Sequence, residues 1–295
     1  RDEHILVDPV NERTLSLVIA AALHTLHPKA GVRVEHSLDD GLYCEFDNIR
    51  CDDALRAEME AKVTEIIDQK QRIERRYMDR EAAAQLFARA GMEDKAANIR
   101  HSRDARCPID RLCGLDDHMY GDLPPHAGIL PRVYVRQMMH GLWFGFHGSP
   151  KPQDKLLAVY DAFERWGRRL GINNVPQLNA AAKQEGIDTL IAMSEAQIER
   201  QLVKLADTIV SMQPLRRFVL ISGPSSAGKT TFSRRLKIHL RILGFQPQAL
   251  SMDDFFRDRC EYPRLADGSY DLESPKTLDL PLLSETVKGL LADRK

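Results

Sequence analysis

Residues 223–231 read Gly-Pro-Ser-Ser-Ala-Gly-Lys-Thr-Thr, a phosphate-binding loop of the form G-x-x-x-x-G-K-[ST]. Each residue type has a task in that chemistry. Gly223 and Gly228 stand where the chain turns around phosphate and no Cβ fits. After Pro224, which has no N–H to give, the backbone N–H groups of Ser225, Ser226 and Ala227 line the cradle, Lys229 reaches the β- and γ-phosphates, and the Thr230 hydroxyl holds Mg²⁺, with Thr231 beside it. The ligand this implies is ATP or GTP with Mg²⁺.

The elements around the loop must position it. Residues 216–222 form a short apolar run of the buried parallel-strand kind. After the loop, Phe232, Leu236, Leu240 and Leu243 recur at helical spacing and Gly244 supplies a stop. Residues 246–252 read as a second strand that ends in Asp253-Asp254-Phe255-Phe256. A carboxylate at the carboxyl end of a parallel strand can accept a proton from an attacking hydroxyl or help hold Mg²⁺. The plain alternative for Asp253 is a helix N-cap, and for Asp271, in Gly-Ser-Tyr-Asp, a simple turn.

The loop at 223–231, Ser251-Met252-Asp253-Asp254-Phe255-Phe256 and Tyr270-Asp271-Leu272-Glu273-Ser274-Pro275 together resemble the uridine kinase and phosphoribulokinase group of P-loop kinases. The resemblance implies a phosphotransferase of nucleoside salvage, moving phosphate from ATP or GTP to the 5′-hydroxyl of uridine or cytidine. Asp253 would be the general base beside Lys229, Asp271 would bind the ribose hydroxyls, and Tyr270 would lie near the base. Two rivals remain: a related kinase for another small hydroxyl compound, and an RNA-linked protein whose loop only senses nucleotide.

The first half resembles the editing-type domain that precedes the catalytic core of threonyl-tRNA synthetase, over residues 14–47 and 55–88. Active domains of that type carry His-x-x-x-His on the first helix and Cys-x-x-x-His later, pairs able to grip one metal or polarise one water. The matching positions here are Arg13 and Leu17, and Met119 and Leu123, so the expectation is a domain without hydrolytic activity. His24 and His27 are three apart and too late on the helix to replace them.

The fold expected is α/β and multi-domain. Residues 1–150 form an α+β synthetase-like domain, 151–212 a helical connector, and 213–295 the N-terminal part of a doubly wound P-loop sheet. In the connector Leu156, Leu157, Tyr160, Phe163 and Trp166 recur at helical spacing before Gly171, and Ile191, Ile198, Leu202, Leu205 and Ile209 mark a later helix. Only about 80 residues follow Pro214 and the chain begins with Arg1, so it reads as a fragment that binds phosphate and transfers it poorly.

With 42 Lys and Arg against 43 Asp and Glu, no broad positive field advertises a nucleic-acid surface. The basic stretch 100–106 is the best local RNA candidate, but it lacks aromatics and Asp104 interrupts it, so a solvated loop is the favoured reading. The cysteines show no zinc spacing and fit a reduced, cytoplasmic protein. No run approaches the ~20 apolar residues of a membrane span. A nucleoside and a nucleoside triphosphate are the expected partners, in a homo-oligomer.

Overall fold

A computed structural model of the chain describes residues 8–151, 153–224, 226–272 and 274–292. It is α/β, with nine helices and two antiparallel sheets among those residues, and divides into two compact units, Arg1–Ala181 and Ala182–Lys295.

The first unit is built around α1 (Pro9–Leu26), the helix carrying the apolar run 15–23. Asp8 caps it by accepting from the Val10 N–H at 2.8 Å, and Pro9 occupies the first turn, where a missing donor costs nothing. Leu15, Leu17, Val18, Ile19, Ala21 and Ala22 are all fully buried, so core surrounds this helix on most sides. The hairpin β1 (Gly31–Leu38) and β2 (Gly41–Asp47) follows, then α2 (Asp53–Asp68), capped by Asp52. Next come β3 (Glu74–Asp79), α3 (Arg80–Arg89), α4 (Glu93–His101), β4 (Arg106–Leu112) and β5 (Leu115–Asp117). The hairpin β6 (Tyr134–Met138) and β7 (Gly141–Gly145) leads to α5 (Asp154–Leu170) and α6 (Val175–Gln184).

The larger sheet has the order β1-β2-β7-β6 and the smaller β3-β4-β5, antiparallel throughout. Leu42, Cys44, Leu142 and Phe144 of the larger sheet share one core with α1, α2 and with Leu112 and Leu115 of the smaller. A second core puts Ala83, Ala84 and Phe87 of α3 and Ala96 and Ile99 of α4 against Cys107 and Ile109 of β4. One face of the smaller sheet is therefore closed by helices. On the larger sheet, Gly41 pairs with Gly145, and the Trp143 indole lies over both. A Cβ on either glycine would stand 2.3 or 2.1 Å from the ring, and the indole N–H donates to the Leu38 carbonyl at 2.9 Å.

The second unit contains α7 (Ile187–Ser211), α8 (Lys229–Ile242) and α9 (Leu280–Leu291). Leu202, Ala206 and Ile209 of α7 pack on Leu236 and Leu240 of α8. Glu199 ties the pair by accepting from the Arg235 Nε at 2.6 Å and pairing with His239 at 2.6 Å. Gly244, at φ +88°, ends α8 in a conformation that favours glycine.

The parallel sheet expected around the phosphate loop is not present among the described residues, which corrects the doubly wound part of the expected fold. Residues 216–222 and 246–251 carry no regular secondary structure and join no ladder. An apolar run becomes a strand only when a neighbouring strand pairs with it, and among the described residues no strand does so here. Leu220 accordingly remains 79% exposed and Phe218 54%.

Candidate functional site

In the second unit the loop 223–228 leads straight into α8. Ser226 and Gly228 both take positive φ, +61° and +79°, and the Ala227 N–H donates to the Pro224 carbonyl at 3.3 Å. Lys229 begins the helix and folds back, its ammonium donating to the carbonyls of Gly223 and Pro224 at 2.8 Å each. No side chain caps α8, so its first N–H groups are left for an anion to meet. Thr230 and Thr231 are exposed on the first turn. Ser225 lies outside the described residues.

Asp253 sits in a short 3₁₀ turn, Met252–Phe255, whose start is capped by Ser251. Its carboxylate makes no hydrogen bond or ion pair with another described residue. Tyr270 is packed under Arg264, whose guanidinium is 4.4 Å from the ring centroid and donates to the Tyr270 hydroxyl at 3.1 Å. The Asp271 N–H donates to Pro263 at 2.8 Å, fixing a local turn. Glu273 of the same motif lies outside the described residues.

In the first unit the positions matched to the editing pairs fall on α1 and on the segment after β5, which Arg13 joins. The Arg13 Nε donates to the Asp122 carbonyl at 3.1 Å, and Gly121, at φ +96°, lies against the guanidinium. A Cβ there would be 3.0 Å from the Arg13 Cζ, so glycine suits both the turn and the close approach. Leu17 is fully buried, and Met119 and Leu123 pack against the core cluster that contains it. The position is thus filled by one cation and three apolar side chains. His27 instead pairs with Glu58 of α2 at 2.8 Å.

Around the same segment of the first unit lie residues the sequence did not single out. Asp110 on β4 is fully buried and accepts from the Arg75 Nε at 2.7 Å and Nη2 at 3.1 Å, and from the Met119 N–H at 3.2 Å. That hydrogen bonding holds the Arg75 guanidinium above its ordinary pKa. Lys95 of α4 pairs with Asp117, and the Asp117 carboxylate also accepts from the His118 N–H at 2.6 Å. Asp116, bound by Arg111 and Arg76, titrates below the usual carboxylate range. The only sequence signal for Asp110 was a carboxylate inside the apolar run Pro108-Ile109-Asp110-Arg111-Leu112. Among the described residues no cluster of three His, Cys, Asp or Glu is placed to hold a metal, and no helix is long and apolar enough to cross a membrane.

No protein-family model matches the chain. It is similar to threonine–tRNA ligases. That of Paramagnetospirillum magneticum is 35% identical over 101 residues, 33% of this chain and 15% of that protein. That of Halorhodospira halophila is 28% identical over 171 residues, 52% of this chain and 27% of that protein. That of Nitratidesulfovibrio vulgaris is 28% identical over 134 residues, 45% and 21% respectively. The chain thus spans between about a seventh and about a quarter of the length of these relatives.

These relatives are ligases, and they overturn the identification with uridine kinase and with it nucleoside phosphorylation, alcohol-acceptor phosphotransfer and nucleoside salvage. The physical reason is that a nine-residue loop specifies phosphate contact but not what is done with the phosphate. The roles implied for Asp253 as base, and for Asp271 and Tyr270 on a nucleoside, lose their basis together with the nucleoside.

Proposed function

We propose that the first unit binds the acceptor end of a transfer RNA, as part of a protein related to threonine–tRNA ligases, and holds it without hydrolysing an attached amino acid. The observation that carries this reading is the set of side chains at Arg13, Leu17, Met119 and Leu123. Arg13 bonds the Asp122 carbonyl and the other three pack in or against the core, so every matched position that would activate water or hold a metal bears a side chain unable to do so. Arg13 makes no ion pair among the described residues and keeps its positive charge beside the exposed Asp122 carbonyl. The domain limits proposed are 1–150 for this region, 151–212 for a helical segment and 213–295 for the loop-bearing region, in a cytoplasmic protein.

A mobility-shift titration with a transfer RNA transcript, run beside a deacylation assay on the aminoacylated form, tests the reading. A shift without amino-acid release above the uncatalysed rate supports it. Release catalysed by the protein refutes the non-hydrolytic role, and absence of a shift refutes RNA binding.

A second reading concerns the loop 223–231, which we propose holds the phosphates of ATP or GTP, with Thr230 on Mg²⁺. The inward-folded Lys229 and the uncapped start of α8 support it. A charged hydrogen bond is worth about 1.5–3 kcal/mol. Lys229→Ala should therefore weaken Mg-nucleotide binding, read with a fluorescent nucleotide, by about 10- to 150-fold. Unchanged affinity removes the loop as the phosphate site.

A further inference from the structure

We infer that the open end of β3 and β4, where Arg106 covers Tyr77, is a contact for unpaired RNA, with a base stacking on Tyr77 and phosphates meeting Arg106, Arg103 and Arg80. The stretch 100–106 looked like a solvated loop because it is basic but has no aromatic residue. The fold supplies one. Antiparallel pairing sets Tyr77 of β3 opposite Pro108 of β4, two residues along from Arg106. The Arg106 guanidinium lies 6.0 Å from the Tyr77 ring centroid and donates to the Tyr77 carbonyl at 3.2 Å.

Tyr77 is in the middle of a strand at the sheet edge, yet 57% of it is exposed. Its cross-strand neighbour Pro108 is small and flat, so no bulky partner covers the ring. On the opposite face the same two strands are closed by α3 and α4, so the solvent-facing tyrosine is not a misplaced core residue. A half-free phenol ring beside a guanidinium plane is the pairing that single-stranded nucleic acid uses, because every base has a face to stack and every nucleotide carries a phosphate.

Charge points the same way. Arg80, Arg103 and Arg106 form no ion pair among the described residues. Arg80 instead donates to the Ser102 carbonyl at 2.8 Å, and its backbone N–H to the Ala105 carbonyl at 3.0 Å, which pins the loop 102–105 against β3. Of the three carboxylates at this end, Glu81 pairs with Arg100 at 3.5 Å and Asp79 caps α3 by accepting from the Glu81 N–H at 2.9 Å. The third, Asp104, lies in the turn set by Ser102, where its N–H donates to the hydroxyl at 3.2 Å. The patch is a positive cluster around an aromatic ring, which suits a polyanion with planar groups.

This inference rests on the RNA-binding reading of the first unit, and the test separates the two. Fluorescence anisotropy on the full chain measures binding of a short single-stranded RNA and of a transfer RNA transcript across a salt series. Tyr77→Ala should weaken single-strand binding by about 5- to 150-fold, since stacking on one aromatic contributes about 1–3 kcal/mol per base. Tyr77→Phe, which keeps the ring face, should stay within about twofold of wild type. Arg106→Gln should lower the slope of log K against log salt by about 0.7. Because Tyr77 and Arg106 are exposed, thermal melts should be unchanged in all three variants. Transfer RNA binding that survives Tyr77→Ala at wild-type strength, or a loss seen in Arg106→Gln but not in Tyr77→Ala, overturns the stacking site while leaving the RNA reading intact. Tyr77-dependent binding of the single strand without transfer RNA binding overturns the broader reading and supports the site. Binding of neither RNA overturns both.

Discussion

The buried ion pair between Arg75 and Asp110 gives the sharpest test of how the first unit is held together. Asp110 is fully buried and its two oxygens receive three hydrogen bonds, two from Arg75 and one from the Met119 N–H. Arg75→Met removes both guanidinium bonds and strands a carboxylate in the core. Breaking a buried pair on one side costs about 3–5 kcal/mol. The Arg75 side chain is 21% exposed, so water can follow into the space it leaves, and the lower figure of about 3 kcal/mol applies. The double variant Arg75→Met with Asp110→Leu removes the stranded charge as well. It should lose only about 1–2 kcal/mol, mainly from the Met119 N–H left without an acceptor. Trp143 and Trp166 both lie in the first unit, so their fluorescence during urea unfolding reports on this unit. With a urea slope of about 1–3 kcal/mol per molar, the single variant should unfold at least about 1 M earlier than wild type. The double variant should recover most of that shift. A double variant as unstable as the single, or a single that unfolds with wild type, refutes the claim that the penalty comes from an unpaired buried charge.

Gly145→Ala should force the Trp143 ring off its seat, because the new Cβ would lie 2.1 Å from it, and so break the indole bond to Leu38. Overpacking of about 1–3 kcal/mol corresponds to a Tm lower by about 2–12 °C, with red-shifted tryptophan emission. Gly148→Ala, with nothing near its Cβ, is the silent control. Asp116 is held below its ordinary carboxylate pKa, first by the hydrogen bonds from Arg111 and then by the charge of Arg76. A depressed folded pKa adds stability that is complete above the unfolded pKa and is lost as pH falls below about 4. Asp116→Asn should therefore be slightly less stable than wild type at pH 6, by under about 1 kcal/mol, and the gap should close by pH 2 in urea midpoints. A gap independent of pH would assign the effect to packing.

The local signals in the sequence carried over into the structure, and the long-range pairings did not. The apolar run 15–23 became α1, Gly171 and Gly244 end α5 and α8 with positive φ, and the 223–231 motif leads into α8 as its glycines require. Each depends on residues within one or two turns. The parallel sheet failed because the strand pattern at 216–222 does not say which segment pairs with it. Asp110 was invisible for a similar reason: its partner is 35 positions earlier, and only the β3–β4 register brings Arg75 opposite. The aromatic missing from 100–106 came from the same register. Motif strength also misled, since a short loop with a strong signature outweighed a long stretch with a diffuse likeness to ligases.

The matched positions of the first unit are occupied by side chains that pack or hydrogen-bond, and Arg13 is where that shows. Random loss of a catalytic pair would leave cavities or unpaired polar groups, each destabilising by about 1–3 kcal/mol or more. Here Leu17 is fully buried, Met119 and Leu123 pack against the core cluster to which it belongs, and Arg13 donates to the Asp122 carbonyl beside a glycine that leaves it room. Such mutual fit supports the binding role proposed for this region. Arg13→Ala separates binding from architecture. The Asp122 carbonyl lies on an exposed residue where water can replace the guanidinium, so stability should fall by less than about 1 kcal/mol. Transfer RNA affinity should fall and its salt slope should drop by about 0.7–0.9, the share of one phosphate contact. If Arg13→Ala instead unfolds the unit and leaves RNA affinity per folded molecule unchanged, Arg13 serves only as a clamp, and its charge has no part in recognition.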